Sequence, residues 1–162
     1  MAMQLHMTIK GKKQGAIDGP SQIKGREKSF EVLAFNHEVT LPFEGRNGSV
    51  AGKRVHHPLT ALKVVDDASP KLYKAISEGE HLDVEIKWYR PHPDGGASEQ
   101  HYFTTKLANA KLVSVGPHMS NVNDKSAHGN GHLEQLSFVY DEITWTFTPS
   151  GVEHIDKWLE PA

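Results

Sequence analysis

A chain of 162 residues and 18.0 kDa is long enough for one domain with a real core and too short for two comfortable ones. Its 18 Lys and Arg against 20 Asp and Glu leave a net charge of −2, a near-neutral balance that argues against nucleic-acid binding, which normally shows a basic face. With no cysteine in the sequence, disulfides, thiolate metal sites and cysteine nucleophiles are all excluded.

The N-terminus, MAMQLHMTIKGKK, has no uninterrupted apolar stretch followed by a small-residue cleavage site, and no run is long enough to cross a membrane as a helix. The protein is therefore expected to be made in the cytoplasm, without membrane insertion, and to leave, if it leaves, without a signal peptide. Leu5, Met7 and Ile9 alternate with His6 and Thr8, the period of a strand; residues 10–25, rich in Gly, Lys and Asp, read as a loop. Residues 30–35 (FEVLAF) are apolar at almost every position, which predicts a second strand between two packed layers. Residues 40–58 (TLPFEGRNGSVAGKRVHHP) form a long excursion with turn residues at Pro42, Gly45, Asn47, Gly48 and Gly52, and residues 59–65 resume the sheet.

The next segment, SPKLYKAISEGEHLDVEIKWYRP, carries the one clear helix signal. Ser69 suits an N-cap and Pro70 the first helical position; Leu72, Tyr73 and Ile76 form an apolar stripe; Gly79 supplies a left-handed stop. A helix is predicted over about 70–78. From Leu82 the period becomes two, with Leu82, Val84, Ile86 and Trp88 on one face and Asp83, Glu85, Lys87 and Tyr89 on the other. A Pro- and Gly-rich turn follows. Strands are predicted at 101–108 and 111–115, separated by Asn109-Ala110, then a polar loop over 116–131 and strands at 133–141 and 142–148. The fold class is mainly β: a compact barrel of two antiparallel sheets with one short flanking helix, in a single domain.

Catalytic and metal chemistry finds little support. Adjacent His56 and His57 would point to opposite faces of a strand, and His128 and His132 lie in a glycine-broken HGNGH unsuited to a helix, with no third ligand at a zinc-like spacing. Asp66-Asp67 suits a helix start rather than an acid–base pair. Ser49 lacks the strand–elbow–helix context of a hydrolase, and GRNGSVAGKR departs from the phosphate-loop pattern in its spacing and in Arg54. The aromatic residues Trp88, Tyr89, Tyr102, Phe103, Trp145 and Phe147 sit within strand patterns, as core residues or cross-strand pairs would. No catalytic residue, cofactor or metal is expected.

The blocks Pro58–Thr60, Asp67–Tyr73, Gly79–Leu82 and Lys87–Arg90, together with HYFTTKLANAKLVSV, HLEQLSFVYDEITWTF and FEVLAFNHEV, closely resemble the haemolysin-coregulated protein (Hcp) family of type VI secretion. The resemblance spans residues 5–158. It implies a subunit of the secretion tube, with itself as first partner: hexameric rings that stack, a VgrG spike trimer at the end, a contractile sheath outside and effector proteins in the lumen. It also implies residence in the cytoplasm before firing and secretion afterwards, and, with the sequence ending at Ala162, no appended toxin domain. A carrier ring for effectors and a small β-barrel enzyme are the alternatives. The 40–58 excursion is predicted to stack one ring on the next through Phe43, Arg46, Asn47, Val50, Lys53 and Arg54, because Leu41, Phe43, Val50 and Val55 give it more apolar surface than a free linker exposes.

Overall fold

The computed structural model describes residues 3–127, 129 and 131–159. In chain order the strands are β1 (Leu5–Gly11), β2 (Gly15–Ile17), β3 (Phe30–Val32), β4 (Ala34–Asn36), β5 (Val39–Thr40), β6 (Val55–His56) and β7 (Leu59–Val64). The helix α1 (Ser69–Glu78) follows, then β8 (Leu82–Pro91), β9 (Glu99–Met119), β10 (His132–Val139), β11 (Glu142–Phe147) and β12 (Val152–Lys157). Every pairing between these strands is antiparallel.

Two walls share one strand. In the first, β1 is flanked by β8 on one edge and by β2 and β3 on the other, and β8 continues to β9, β11 and β12. In the second, the remainder of β9 leads to β10, β7 and β4. The expected break at Asn109-Ala110 is instead a corner inside a single 21-residue strand: Asn109 takes φ 49°, β8 begins opposite Ala110, and pairing passes from β11 at Ala108 to β10 at Lys111. Asn tolerates the left-handed region, so the chain turns there without leaving the ladder. The same strand runs on to Met119, so the first part of the predicted 116–131 loop is sheet.

The barrel closes at a second corner. FEVLAF is two short strands rather than one: Phe30 and Val32 are buried in the first wall, and Leu33 projects outward while its N–H donates to Leu62 O at 2.7 Å. Phe35 is half-buried in the second wall. Near-continuous apolarity thus records a change of wall. Two short elements fall where no period could show. The β1–β2 hairpin turns at Gly15 (φ 73°) inside the predicted loop, and β12 follows the turn at Gly151 (φ 72°).

Met7, Ile86, Leu107, Leu136 and Phe138 fill the space between the walls. Leu72 and Ala75 bring α1 onto the core, against β9. Burial of side chains this size contributes about 1.5–3 kcal/mol each. The helix start needs correction: the cap position is Ala68, without a side-chain cap bond, and Ser69 lies inside the first turn. The stop is as predicted. Gly79 is left-handed (φ 61°), with its N–H on Ile76 O and the Glu80 N–H on Ala75 O, the paired bonds of a Schellman end. Tyr89 keeps the predicted face, opposite Trp88, but is buried there. Its ring lies beside His6 and His101, and the Arg26 guanidinium lies 3.5 Å from the ring centroid.

Candidate functional site: an anchored β-arm

The 40–58 excursion is an arm with its own ladder. Val39 pairs with His56 and Thr40 with Val55; the Ala51 N–H reaches Pro42 O at 2.9 Å; and Phe43 bridges Val50. Pro42 has no N–H to give, which leaves the ladder broken between root and tip. At the tip, the Glu44 N–H donates to Ser49 O at 2.8 Å, Gly48 (φ 73°) donates to Glu44 O, and Asn47 Oδ1 accepts the Ser49 N–H at 2.9 Å. Ser49 is therefore a turn residue. Phe43 is 68% exposed and Val50 59%, so the hydrogen-bonded tip displays apolar side chains to solvent. Arg46 and Lys53 are exposed beside them.

Arg54 belongs elsewhere. It was expected among the cationic tips, but it lies at the root, where its Nε and Nη2 grip the Asp156 carboxylate at 2.5 and 2.7 Å and Nη2 also reaches Lys157 O at 2.8 Å. Bidentate geometry fixes direction as well as position. The Asp156 carboxyl is held below its usual range by the Arg54 bond first, with His56 adding to it.

A buried relay completes the root. His56 Nε2 lies 2.8 Å from Asp156 Oδ2 and its Nδ1 lies 2.7 Å from the Tyr140 hydroxyl, which is also 2.8 Å from His37 Nε2. With Asp156 ionised, His56 donates from Nε2, Tyr140 donates to His56 Nδ1, and His37 donates from Nε2 to the hydroxyl oxygen. Burial, with the Asp156 charge adding to it, holds the Tyr140 hydroxyl protonated. Burial also lowers the His37 pKa, with the neighbouring His56 and His57 acting in the same direction. The Trp158 ring stacks on His56 at 5.6 Å. An Asp–His–Tyr chain of this kind resembles a nucleophile relay, but Tyr140 is only 4% exposed, and its hydroxyl ties both strands of the arm to the corner between β10 and β11.

The remaining candidates disperse. His57 turns away from His56, as the strand period predicts, and meets Thr40 Oγ1 at 3.0 Å. His128 lies outside the described residues, and His132 pairs with Met119 in the sheet. Among the described residues, no three His, Asp or Glu side chains converge as metal ligands. Asp66 works locally, accepting the Ala68 N–H at 2.9 Å and pairing with buried Lys63 at 3.1 Å. Lys63 also meets Glu134 Oε1 at 2.5 Å, which accepts the Ser69 hydroxyl at 2.7 Å. This closed network beneath the start of α1 has no signature in the sequence. The Trp88 ring meets Phe103 across the β8–β9 ladder at 5.6 Å and packs on Phe35 of the other wall at 5.0 Å, so it is both cross-strand pair and core edge.

Known proteins share this architecture over their full lengths. The family described as "Type VI secretion system effector, Hcp" matches residues 6–147. The "Major exported protein" of Pseudomonas aeruginosa is 39% identical over 99% of this chain and 98% of its own. A crystal structure of an Hcp protein superposes with a TM-score of 0.87 at 30% identity, covering 99% of this chain and all of the other. Hcp1 from E. coli EAEC 042 gives 0.84 at 36% identity over 97% and 99%. A barrel of two walls with a single flanking helix, matched from end to end at these identities, places this chain in the Hcp family of type VI secretion proteins.

Proposed function

We propose that this chain is the structural subunit of the type VI inner tube: hexameric rings that stack, carry effectors in the lumen, end in a VgrG spike, and are driven out by a contractile sheath. Export accords with the name of the Pseudomonas relative, "Major exported protein". The observation that carries the reading is the arm. A hydrogen-bonded hairpin, rooted by a bidentate ion pair and tipped by an exposed Phe43 and Val50, is shaped for a partner surface rather than for chemistry. Phe43, Arg46, Asn47, Val50 and Lys53 make the stacking contact, Arg54 aims it, and the barrel walls make the contacts within a ring. The role is assembly, and no residue is catalytic.

Analytical ultracentrifugation tests this directly. The intact chain should sediment near six times its 18.0 kDa and form longer stacks at high concentration. Deleting residues 46–52 should leave the ring and abolish the stacks. A monomeric wild-type protein would overturn the ring, deletion-insensitive stacks would overturn the arm's role, and collapse of the deletion to monomers would move the arm into the ring interface.

A further inference from the structure

The root of the arm is closed by a hydroxyl that has one proton to give and two ring nitrogens beside it. The Tyr140 oxygen lies 2.7 Å from His56 Nδ1 and 2.8 Å from His37 Nε2, and among the described residues it has no third partner. Tyr140 and His56 are both buried, and His37 is half-buried. The two histidines belong to the arm: His56 ends β6, and His37 precedes β5. Tyr140 stands on the barrel, between β10 and β11. A change in the bonds of this hydroxyl is therefore a change in the joint between arm and barrel.

A count of protons limits what the joint can hold. A neutral imidazole has one N–H and one bare nitrogen, whereas an imidazolium has N–H groups on both. With both rings neutral, the Tyr140 hydroxyl donates to His56 Nδ1 and accepts the N–H of His37 Nε2. One added proton fits. On His37 it goes to Nδ1 and leaves the bonds as they are. On His56 it goes to Nδ1, and the hydroxyl turns to donate to His37 Nε2, whose own proton moves to Nδ1. With two added protons, both nitrogens aim N–H groups at one oxygen, and the hydroxyl proton has no acceptor. A buried donor without a partner is costly. Charge acts in the same sense, because two imidazoliums would join Arg54 around the single carboxylate of Asp156. The other neighbours bring no second anion to the rings. His37 faces His57, which meets Thr40 Oγ1, and the Trp145 ring, which stacks on His154; His56 faces the Trp158 ring. Exposed Glu38 and Lys157 join the root through their backbone carbonyl oxygens.

We propose that the root is a one-proton latch: seated, His37 and His56 hold at most one added proton between them through the Tyr140 hydroxyl, and the second is taken only when the arm unseats. The latch belongs to the single subunit and stands whether or not the arm stacks rings. Burial, and then the neighbouring His56 and His57, lower the His37 pKa, which also disfavours protons in the seated arm. In the unseated arm both rings are free to protonate near the ordinary value of about 6.5. The unseated state then binds more protons, so seating is full above that value and is lost as pH falls through it.

Hydrogen exchange on the intact protein, corrected for the intrinsic pH dependence of exchange, tests the latch. The reporters are the His57 N–H, bonded to Glu38 O, and the Ala51 N–H, bonded to Pro42 O. Their protection should fall by about tenfold for each pH unit below about 6.5, one proton per opening, while Val84 and Ile86 in β8 hold theirs. His37→Gln should flatten that slope, since an amide turned either way can donate to the Tyr140 oxygen or accept from it. His57→Gln and His154→Gln should keep the wild-type slope. A wild-type root indifferent to pH, a wild-type slope in His37→Gln, or a flattened slope in His57→Gln or His154→Gln would each overturn the proposal. Nitrogen spectra of the wild-type histidine rings give a readout that needs no variant. While the root amides remain protected, His37 and His56 should never both be imidazolium, and finding both doubly protonated in a seated arm would also overturn it.

Discussion

The Ser69 hydroxyl lies under the helix rather than at its tip, accepting the Asp66 N–H at 3.0 Å and donating to Glu134. Ser69→Ala removes a donor from a buried carboxylate whose other oxygen has no hydrogen-bond partner, and should destabilise the subunit by about 1–3 kcal/mol. Chemical denaturation should show the loss; a neutral variant would mean that Glu134 finds another donor. Histidine burial sets the acid behaviour. His37, His6 and His101 all have lowered pKa values, in each case first through desolvation. The unfolded chain therefore takes up protons near the ordinary value of about 6.5 while the folded chain resists until lower pH. Stability should be full above that value and fall as pH drops through it, so melting should occur at lower temperature at pH 5.5 than at pH 7.5. Tyr140→Phe removes the group that both His37 and His56 contact, and should cost about 1–3 kcal/mol at neutral pH. An unchanged melting temperature in Tyr140→Phe would show that the relay does not hold the root.

At the scale of elements, the roots of the arm depend on contacts the sequence does not advertise. Arg54 and Asp156 are separated by 102 residues, and His56 and Tyr140 by 84. Long-range pairs between isolated polar residues leave no period, so a Gly-bounded cation looked like a tip. Arg54→Ala should raise hydrogen exchange at Val39, Thr40, Val55 and His56 by about tenfold or more, since charged hydrogen bonds of this kind contribute about 1.5–3 kcal/mol. Exchange in α1 and β7 should stay as it was; an unchanged root would place the anchoring elsewhere. What was legible had either period or punctuation. The alternation from Leu82 gave β8, and Pro70 and Gly79 gave the helix limits to within a residue. The exposed apolar residues of the arm were also visible, because four of them interrupt a glycine-rich stretch. The strands that were missed or divided are those too short for a period, such as β2, or bent in mid-course, such as β9. A corner made by one left-handed Asn reads in sequence as the end of a strand.

For the whole molecule, the arm stands at one end of the second wall, and β9 joins that wall to the first. The strand that serves both walls has a further consequence for how the protein comes apart. Because β9 gives one edge to β8 and the other in turn to β11 and β10, neither wall keeps its partners when the other opens. Sub-global opening units require a boundary across which few bonds pass, and here the boundary falls in the middle of a strand. Native-state hydrogen exchange should accordingly show the buried amides of β1 in one wall and β7 in the other converging on one opening free energy, within about 1 kcal/mol, under rising denaturant. Two separate isotherms would show that the walls unfold independently. A single isotherm would make the barrel an all-or-none fastening, one that sheds no half-open wall for a protease or a stray strand edge to seize.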